Sequence, residues 1–206
     1  ASDVPNIRAE FAASGVPFEG RVGRMMEGLR LARALWTGKP VDWQGRWPVQ
    51  SGVLGPTPYR AGGPPIWMAG SVRPALERAA RYFDGWFANE ADLSRWTQQW
   101  AEVQQILREA GRDASQYVAA IYVTLAIDED ASRAGQRIDA FLERYYGQPA
   151  EAMRRRQAVY GGPPDSAAGF LKGFADAGAS HMIVRLVGDP DRQLDTLTEI
   201  RRQLGW

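Results

Sequence analysis

The sequence predicts an α/β protein built on a parallel sheet. Three observations carry this expectation. Ile66-Trp67-Met68 make a short apolar strand that breaks at Ala69-Gly70-Ser71 into a helix-patterned run, and the chain returns through Asp84-Gly85-Trp86-Phe87 as a second strand. That is the strand, turn, helix, strand unit of parallel α/β folds. The run Val118–Ile127 is apolar at nearly every position, as a strand buried on both faces requires. Strand and helix patterns alternate from there to the C-terminus, about four βα units in all. With right-handed crossovers such a series gives either an open parallel sheet or part of a barrel. A complete (β/α)₈ barrel needs roughly 250 residues, more than the 206 of this chain.

The elements follow in order. Residues 7–14 read as a short helix stopped by Gly15. Pro17 opens a longer helix, with Met25, Leu29, Ala32 and Trp36 at helical spacing, which Gly38 and Pro40 end. Residues 39–63 are rich in Gly and Pro yet carry Trp43, Trp47 and Tyr59. Linkers seldom hold so many aromatic residues, so this is an ordered insertion, with a small hairpin through 41–43 and 47–49. The first βα unit covers 65–83. The second pairs strand 85–88 with a helix whose Leu93, Trp96, Trp100, Val103 and Leu107 share one face. The third follows strand 118–127 with helical segments at 132–146, 149–159 and, after Gly161-Gly162, 164–177. The fourth is strand 181–187 with a closing helix that turns Leu194, Leu197, Ile200 and Leu204 inward. No low-complexity stretch divides the chain, so one domain over 1–206 is expected.

Composition bounds the function. With 25 basic and 24 acidic residues the net charge is +1. No basic stripe interleaves with aromatics as a nucleic-acid surface requires, and Arg154-Arg155-Arg156 reads as a solvated helix face. There is no cysteine, which removes disulfides, thiolate chemistry and cysteine-bound metal and fits a reducing, cytoplasmic setting. A single histidine cannot build a multi-histidine metal site. No apolar run approaches the roughly 20 residues of a membrane span, and ASDVPNIRAEF at the start shows no secretory leader.

Gly70 and Ser71 are the first candidates for a ligand site. Glycine lets the backbone come close to a phosphate, while the following amides and the serine hydroxyl can donate to it at the start of a helix. A plain strand-to-helix turn uses the same residues. Arg185 stands inside the apolar run His-Met-Ile-Val-Arg-Leu-Val and must find a partner, either a phosphate or carboxylate of a ligand or a protein acid. His181 begins that strand and reads as structural. Asp128, Glu129 and Asp130 read as a strand-end turn and N-cap ahead of Ser132, not as a metal site. Gly161-Gly162-Pro163-Pro164 lacks the Lys-Ser/Thr of a nucleotide-binding loop.

Several motifs, in order along nearly the whole chain, resemble the bacterial luciferase-like monooxygenase superfamily. They are Gly15-Val16-Pro17-Phe18, Leu35-Trp36-Thr37-Gly38, the Pro-Pro-Ile-Trp strand with its Gly70-Ser71 turn, and Ala79-Ala80-Arg81 followed by Asp84-Gly85-Trp86. Gly161-Gly162-Pro163-Pro164-Asp165 leading to Ala177-Gly178-Ala179 is a looser match. The resemblance implies a TIM-barrel type fold of which this chain corresponds to the second half. It implies an oxidoreductase or monooxygenase that uses FMN or coenzyme F420 on a small-molecule substrate. Ala69, Gly70, Ser71, Trp86, Ala88 and Asn89 are then expected beside the cofactor, with Arg185 near its anionic groups. No nucleophile-base pair is evident, so the catalytic residues stay unassigned. A half-barrel also suggests the alternative of a non-catalytic binding or assembly module, paired with a complementary half or with another copy of itself.

Overall fold

A computed structural model describes residues 3–206. The chain forms two compact units, one ending at Pro64 and the other spanning Pro65–Trp206.

The first unit holds helices α1 (Pro5–Ala13) and α2 (Arg21–Leu35) and the antiparallel pair β1 (Val41–Trp43) and β2 (Val49–Gly52). The predicted hairpin is present, with its second strand at Val49–Gly52 instead of 47–49. The second helix starts at Arg21 instead of Pro17, because Gly20 takes a positive φ of 70° and holds residues 18–20 in a turn. Phe18 is buried there, edge-on to Phe11 at 5.4 Å, with the guanidinium groups of Arg21 and Arg8 at 3.7 and 4.3 Å from its ring. Glu27 of α2 accepts the Arg46 backbone N–H at 2.6 Å and pairs with the Arg46 guanidinium, which ties the hairpin turn to the helix.

The second unit is a five-stranded sheet in which every pairing is parallel: β3 (Trp67–Ala69), β4 (Gly85–Ala88), β5 (Val118–Ile127), β6 (Ala158–Gly162) and β7 (His181–Leu186). Helices α3 (Arg73–Tyr82), α4 (Leu93–Glu109), α5 (Ala131–Tyr146), α6 (Ala150–Arg154), α7 (Pro164–Asp176) and α8 (Pro190–Gln203) connect and follow the strands. The parallel α/β expectation holds. One element differs. Residues 149–159, expected as a helix, are helical only over α6, and Ala158 begins a fifth strand. That strand forms because β5 runs past its other neighbours. β4 pairs with β5 at 118–121 and β6 with it at 123–127, while β7 pairs at 120–125 along the opposite edge. β4 and β6 therefore share one edge of β5, end to end.

Alternation along the strands separates two faces. One carries Met68, Trp86, Ala88 and the odd-numbered positions of β5 into a core with Leu76, Trp96, Trp100, Val103, Leu171, Phe174 and Ile200 of the helices. The other carries Trp67, Ala69, Phe87, Ala120, Tyr122, Thr124, His181, Ile183 and Arg185. This second face is concave. The rings of Trp67 and His181 lie 5.0 Å apart, although β4 and β5 stand between their strands, a separation of about 14 Å in a flat sheet. Gly85 makes the crossing possible: a Cβ there would sit 2.7 Å from Trp67 Cδ1 and 2.9 Å from the Val118 carbonyl oxygen.

A smaller core joins Ala126 and Val187 to Ala134, Ile138 and Leu142 of α5 and to Ala150 and Met153 of α6. The α5 backbone rides directly on β6, where a Cβ at Gly161 would meet Ala134 and Gly135 backbone atoms at 3.1–3.2 Å. Asp128 anchors the start of α5. Its buried carboxylate accepts from Arg133 at 2.5 and 2.9 Å, from Arg137 at 2.9 Å and from the Asp130 N–H at 3.0 Å. Asp130 caps the helix by accepting the Arg133 N–H. Among the described residues no helix is long and apolar enough to cross a membrane.

Candidate functional site

The bend after β3 is open to solvent. Ala69 and Ser71 are exposed, and Gly70 takes a φ of 150°, a conformation that L side chains rarely adopt. A Cβ at Gly70 would lie 2.4 Å from the Ala75 Cβ, so only glycine brings the strand end this close to α3. Helix α3 has no side-chain cap. Among the described residues, the amides of Ser71, Val72 and Arg73 meet no backbone acceptor, and the chain closes its first bonds only at Ala75 and Leu76, both to the Val72 carbonyl. A bend with free N–H groups and an exposed hydroxyl at a helix start is suited to an anion.

Trp86 fixes this bend from behind. It is fully buried in the helix-side core, between Trp96 and Trp100 at ring distances of 5.5 and 6.4 Å, and its Nε1–H donates to the Gly70 carbonyl at 2.7 Å. Ala88 lies on the same buried side. Asn89 is exposed at the end of β4. Its neighbour Glu90 is buried and engaged, accepting from Gln99 Nε2 at 3.2 Å and pairing with Arg95 at 3.2 Å.

The structure thus sorts the expected residues into two groups. Ala69 and Arg185 share the concave face. Trp86 and Ala88 stand in the helix layer, Trp86 as the support of the bend. By register Trp67 is level with Val118 and His181 with Ala120, so the two rings meet across a two-residue offset, and Arg185 is level with Thr124.

The sequence pattern did not single out Phe87 and Tyr122 as lining of this face. Phe87 and Tyr122 meet edge to face at 6.1 Å, and Trp67 forms the floor. Their signal is parity alone: the strand that buries Trp86 must turn Phe87 the other way. His181, expected as structural, is exposed on the concave face against Trp67. Burial raises the Tyr122 hydroxyl above its usual value, with Arg185 opposing the shift, so Tyr122 is a neutral phenol at physiological pH.

Arg185 is half-buried. Its guanidinium lies 4.4 Å from the Tyr145 ring, 5.0 Å from that of Tyr122 and 5.3 Å from that of Phe141, and it donates to the Tyr146 hydroxyl at 3.2 Å. Elsewhere in the unit a cavity of about 450 Å³ opens on the helix side, lined by Leu171, Ala179, Met182, Val184, Leu197 and Trp206 among others. None of the expected site residues lines it. Among the described residues no cluster of acidic or histidine side chains could hold a metal ion.

Comparison with solved structures finds the same fold. A monooxygenase from Streptomyces bottropensis aligns over the whole of this chain and 67% of its own length, with a TM-score of 0.79 and 17% identity. An F420-dependent secondary alcohol dehydrogenase, solved with an F420-acetone adduct, aligns over 84% of this chain and 59% of its own, with a TM-score of 0.70 and 18% identity. A riboflavin lyase, solved with modified FMN and riboflavin, aligns over 95% of this chain and 61% of its own, with a TM-score of 0.69 and 16% identity. The chain thus spans about three fifths to two thirds of the length of these structures. A search of curated proteins by sequence finds no match. A model of the luciferase-like monooxygenases matches residues 6–206. A match of that extent takes in the glycine bend, the tryptophan behind it and the concave aromatic face alike, and the chain belongs to the luciferase-like monooxygenase family.

Proposed function

We propose that this chain binds FMN or coenzyme F420 on the concave face of its sheet and serves an oxidoreductase or monooxygenase reaction on a small-molecule substrate. The observation that carries this reading is the open bend at Ala69-Gly70-Ser71, whose free amides and hydroxyl suit the phosphate that both cofactors carry. Two further features fit. Trp67, Phe87 and Tyr122 offer flat apolar surface for a planar ring system, and Asn89 stands at the neighbouring strand end. The cofactor supplies the hydride transfer and, for a flavin, the reaction with oxygen. The chain's own residues hold and orient it. Gly70 admits close approach, Ser71 and the α3 amides donate to the anionic tail, and Trp86 keeps the bend in place. Trp67, Phe87 and Tyr122 exclude water from one face of the ring. The composition, free of cysteine, fits a cytoplasmic enzyme.

The test is titration of the purified chain with FMN, F420 and riboflavin, followed by cofactor fluorescence, with size-exclusion chromatography alongside. Saturable uptake of a phosphate-bearing cofactor, weakened in Ser71→Ala, supports the reading. A chain that takes up neither cofactor refutes it.

One observation favours a second reading. Among the described residues β3 pairs only with β4, and β7 only with β5, so each leaves an edge free. Free edges recruit further strands. In that reading the chain is a non-catalytic half-barrel that pairs with a complementary half or with a second copy. A stable dimer that binds no cofactor would support it.

A further inference from the structure

We propose that Arg185 is the anchor for an oxyanion, a carboxylate or sulfonate, carried by the small-molecule substrate. This rests on the cofactor reading above and adds to it a second anion subsite, separate from the bend at 69–71.

Arg185 lacks the carboxylate partner that Arg133, Arg137 and Arg154 have. Arg133 and Arg137 meet Asp128, and Arg154 meets Asp139 at 2.6 Å. Arg185 meets three aromatic rings and one phenol, and among the described residues no carboxylate lies within ion-pair reach of it. Rings and a neutral hydroxyl hold a cation in position but leave its charge uncancelled. Half-burial of such a charge is costly unless an anion arrives.

The geometry also states what kind of anion fits. Aromatic rings attract the flat π-face of a guanidinium. The N–H donors lie in the plane of the guanidinium, and the Tyr146 hydroxyl occupies one of them. The remaining fork matches two oxygens of a planar or tetrahedral oxyanion. Access is open on the same strand face, where Ile183 and His181 are exposed. Tyr122 and Phe87 beside it give apolar surface. The ligand class is therefore a small molecule with an oxyanion head and an apolar body, its head at Arg185 and its body against those rings. The Thr124 hydroxyl strengthens the assignment. Thr124 pairs in register with Arg185 on this face and is buried with no hydrogen-bond partner, so a polar group near this position would find a waiting donor.

The test uses the full chain and four probes: hexanesulfonate, hexanol, FMN and riboflavin. The readout is the ¹⁵N-edited NMR signal of the Arg185 Nε–H, assigned by its loss in Arg185→Lys. In the wild-type chain, hexanesulfonate should move this signal saturably and hexanol should not. Arg185→Met should weaken hexanesulfonate at least tenfold, with Arg185→Lys intermediate, while the preference for FMN over riboflavin stays unchanged. An Arg185 signal indifferent to hexanesulfonate, or equally moved by hexanol, overturns the proposal. So does loss of the FMN preference in Arg185→Met, because the oxyanion is then the cofactor's own phosphate. Hexanesulfonate binding at Arg185 in a chain that takes up no FMN or F420 would refute the cofactor reading and leave the subsite standing. The wild-type titration needs no variant to fold.

Discussion

Gly70→Ala should be among the most damaging single-methyl changes in the sheet. Two costs add. The φ of 150° is one that alanine adopts only under strain, of about 1–3 kcal/mol. The added methyl would stand 2.4 Å from the Ala75 Cβ. Ala75 cannot rotate away, since its methyl is fixed to a backbone whose N–H bonds the Val72 carbonyl at 2.8 Å, and relief of such overpacking costs about 1–3 kcal/mol. The sum is about 2–6 kcal/mol, or a fall in Tm on the order of 4–24 °C for a chain of this size. Denaturant unfolding followed by tryptophan fluorescence would measure it, since Trp86 bonds the Gly70 carbonyl. The double variant Gly70→Ala/Ala75→Gly separates the two costs. It should recover the part due to the clash, less about 1 kcal/mol for glycine in a helix, and leave the backbone strain. A Gly70→Ala chain within about 0.5 kcal/mol of wild type would refute the reasoning. A double variant that recovers nothing would show that the two methyls do not collide.

Three other outcomes follow from the same packing. Trp86→Phe removes the indole N–H that holds the Gly70 carbonyl and leaves a void among Trp96 and Trp100, at a cost of about 2–4 kcal/mol by urea denaturation. Gln193→Leu strips the buried amide that accepts the Ile127 N–H and donates to the Ile127 carbonyl, each at 2.8 Å, leaving two backbone groups without partners and costing about 2–5 kcal/mol by the same measurement. Hydrogen bonds from Arg133, then from the Asp130 amide, hold the Asp128 carboxyl well below the usual carboxylate range. Its stabilisation is full above the unfolded value of about 3.9 and drains away as the pH falls below that. The Tm gap between wild type and Asp128→Asn should therefore be constant from pH 7 to about 5 and should narrow as the pH falls toward 2, and a gap that widened on acidification would contradict this.

Much of the fold was legible because local signals and tertiary context agreed. The β3-α3-β4 unit announces itself through Pro-Pro-Ile-Trp, the small residues at 69–71 and the spacing of Leu76, Ala79 and Ala80, all buried. β6 was not legible. Its sequence, Ala-Val-Tyr-Gly-Gly, is short, ends in two glycines and follows an arginine-rich helical run. It becomes a strand because the upper half of β5 offers an unoccupied edge and α5 can settle against Gly161, and neither condition is local. At the site, the glycine bend was readable from the strand, turn and helix pattern around it. The faces needed strict counting: parity along β4 turns Trp86 toward the helices and Phe87 toward the hollow, whereas motif resemblance treats consecutive residues as equals. The three rings around Arg185 could not be foreseen, since two of them come from α5, whose fold back over the sheet depends on its packing with Ala126 and Val187.

Residues 131–162 leave the top of β5 and rejoin that same strand through β6. The excursion starts and finishes on one stave and carries its own apolar filling. Its tie to the helix-backed layer runs through β6, whose Ala158 and Tyr160 pack in that core. Exchanging α5 and α6 while keeping β6 therefore offers a direct way to alter what enters the hollow while the sheet stays as it is.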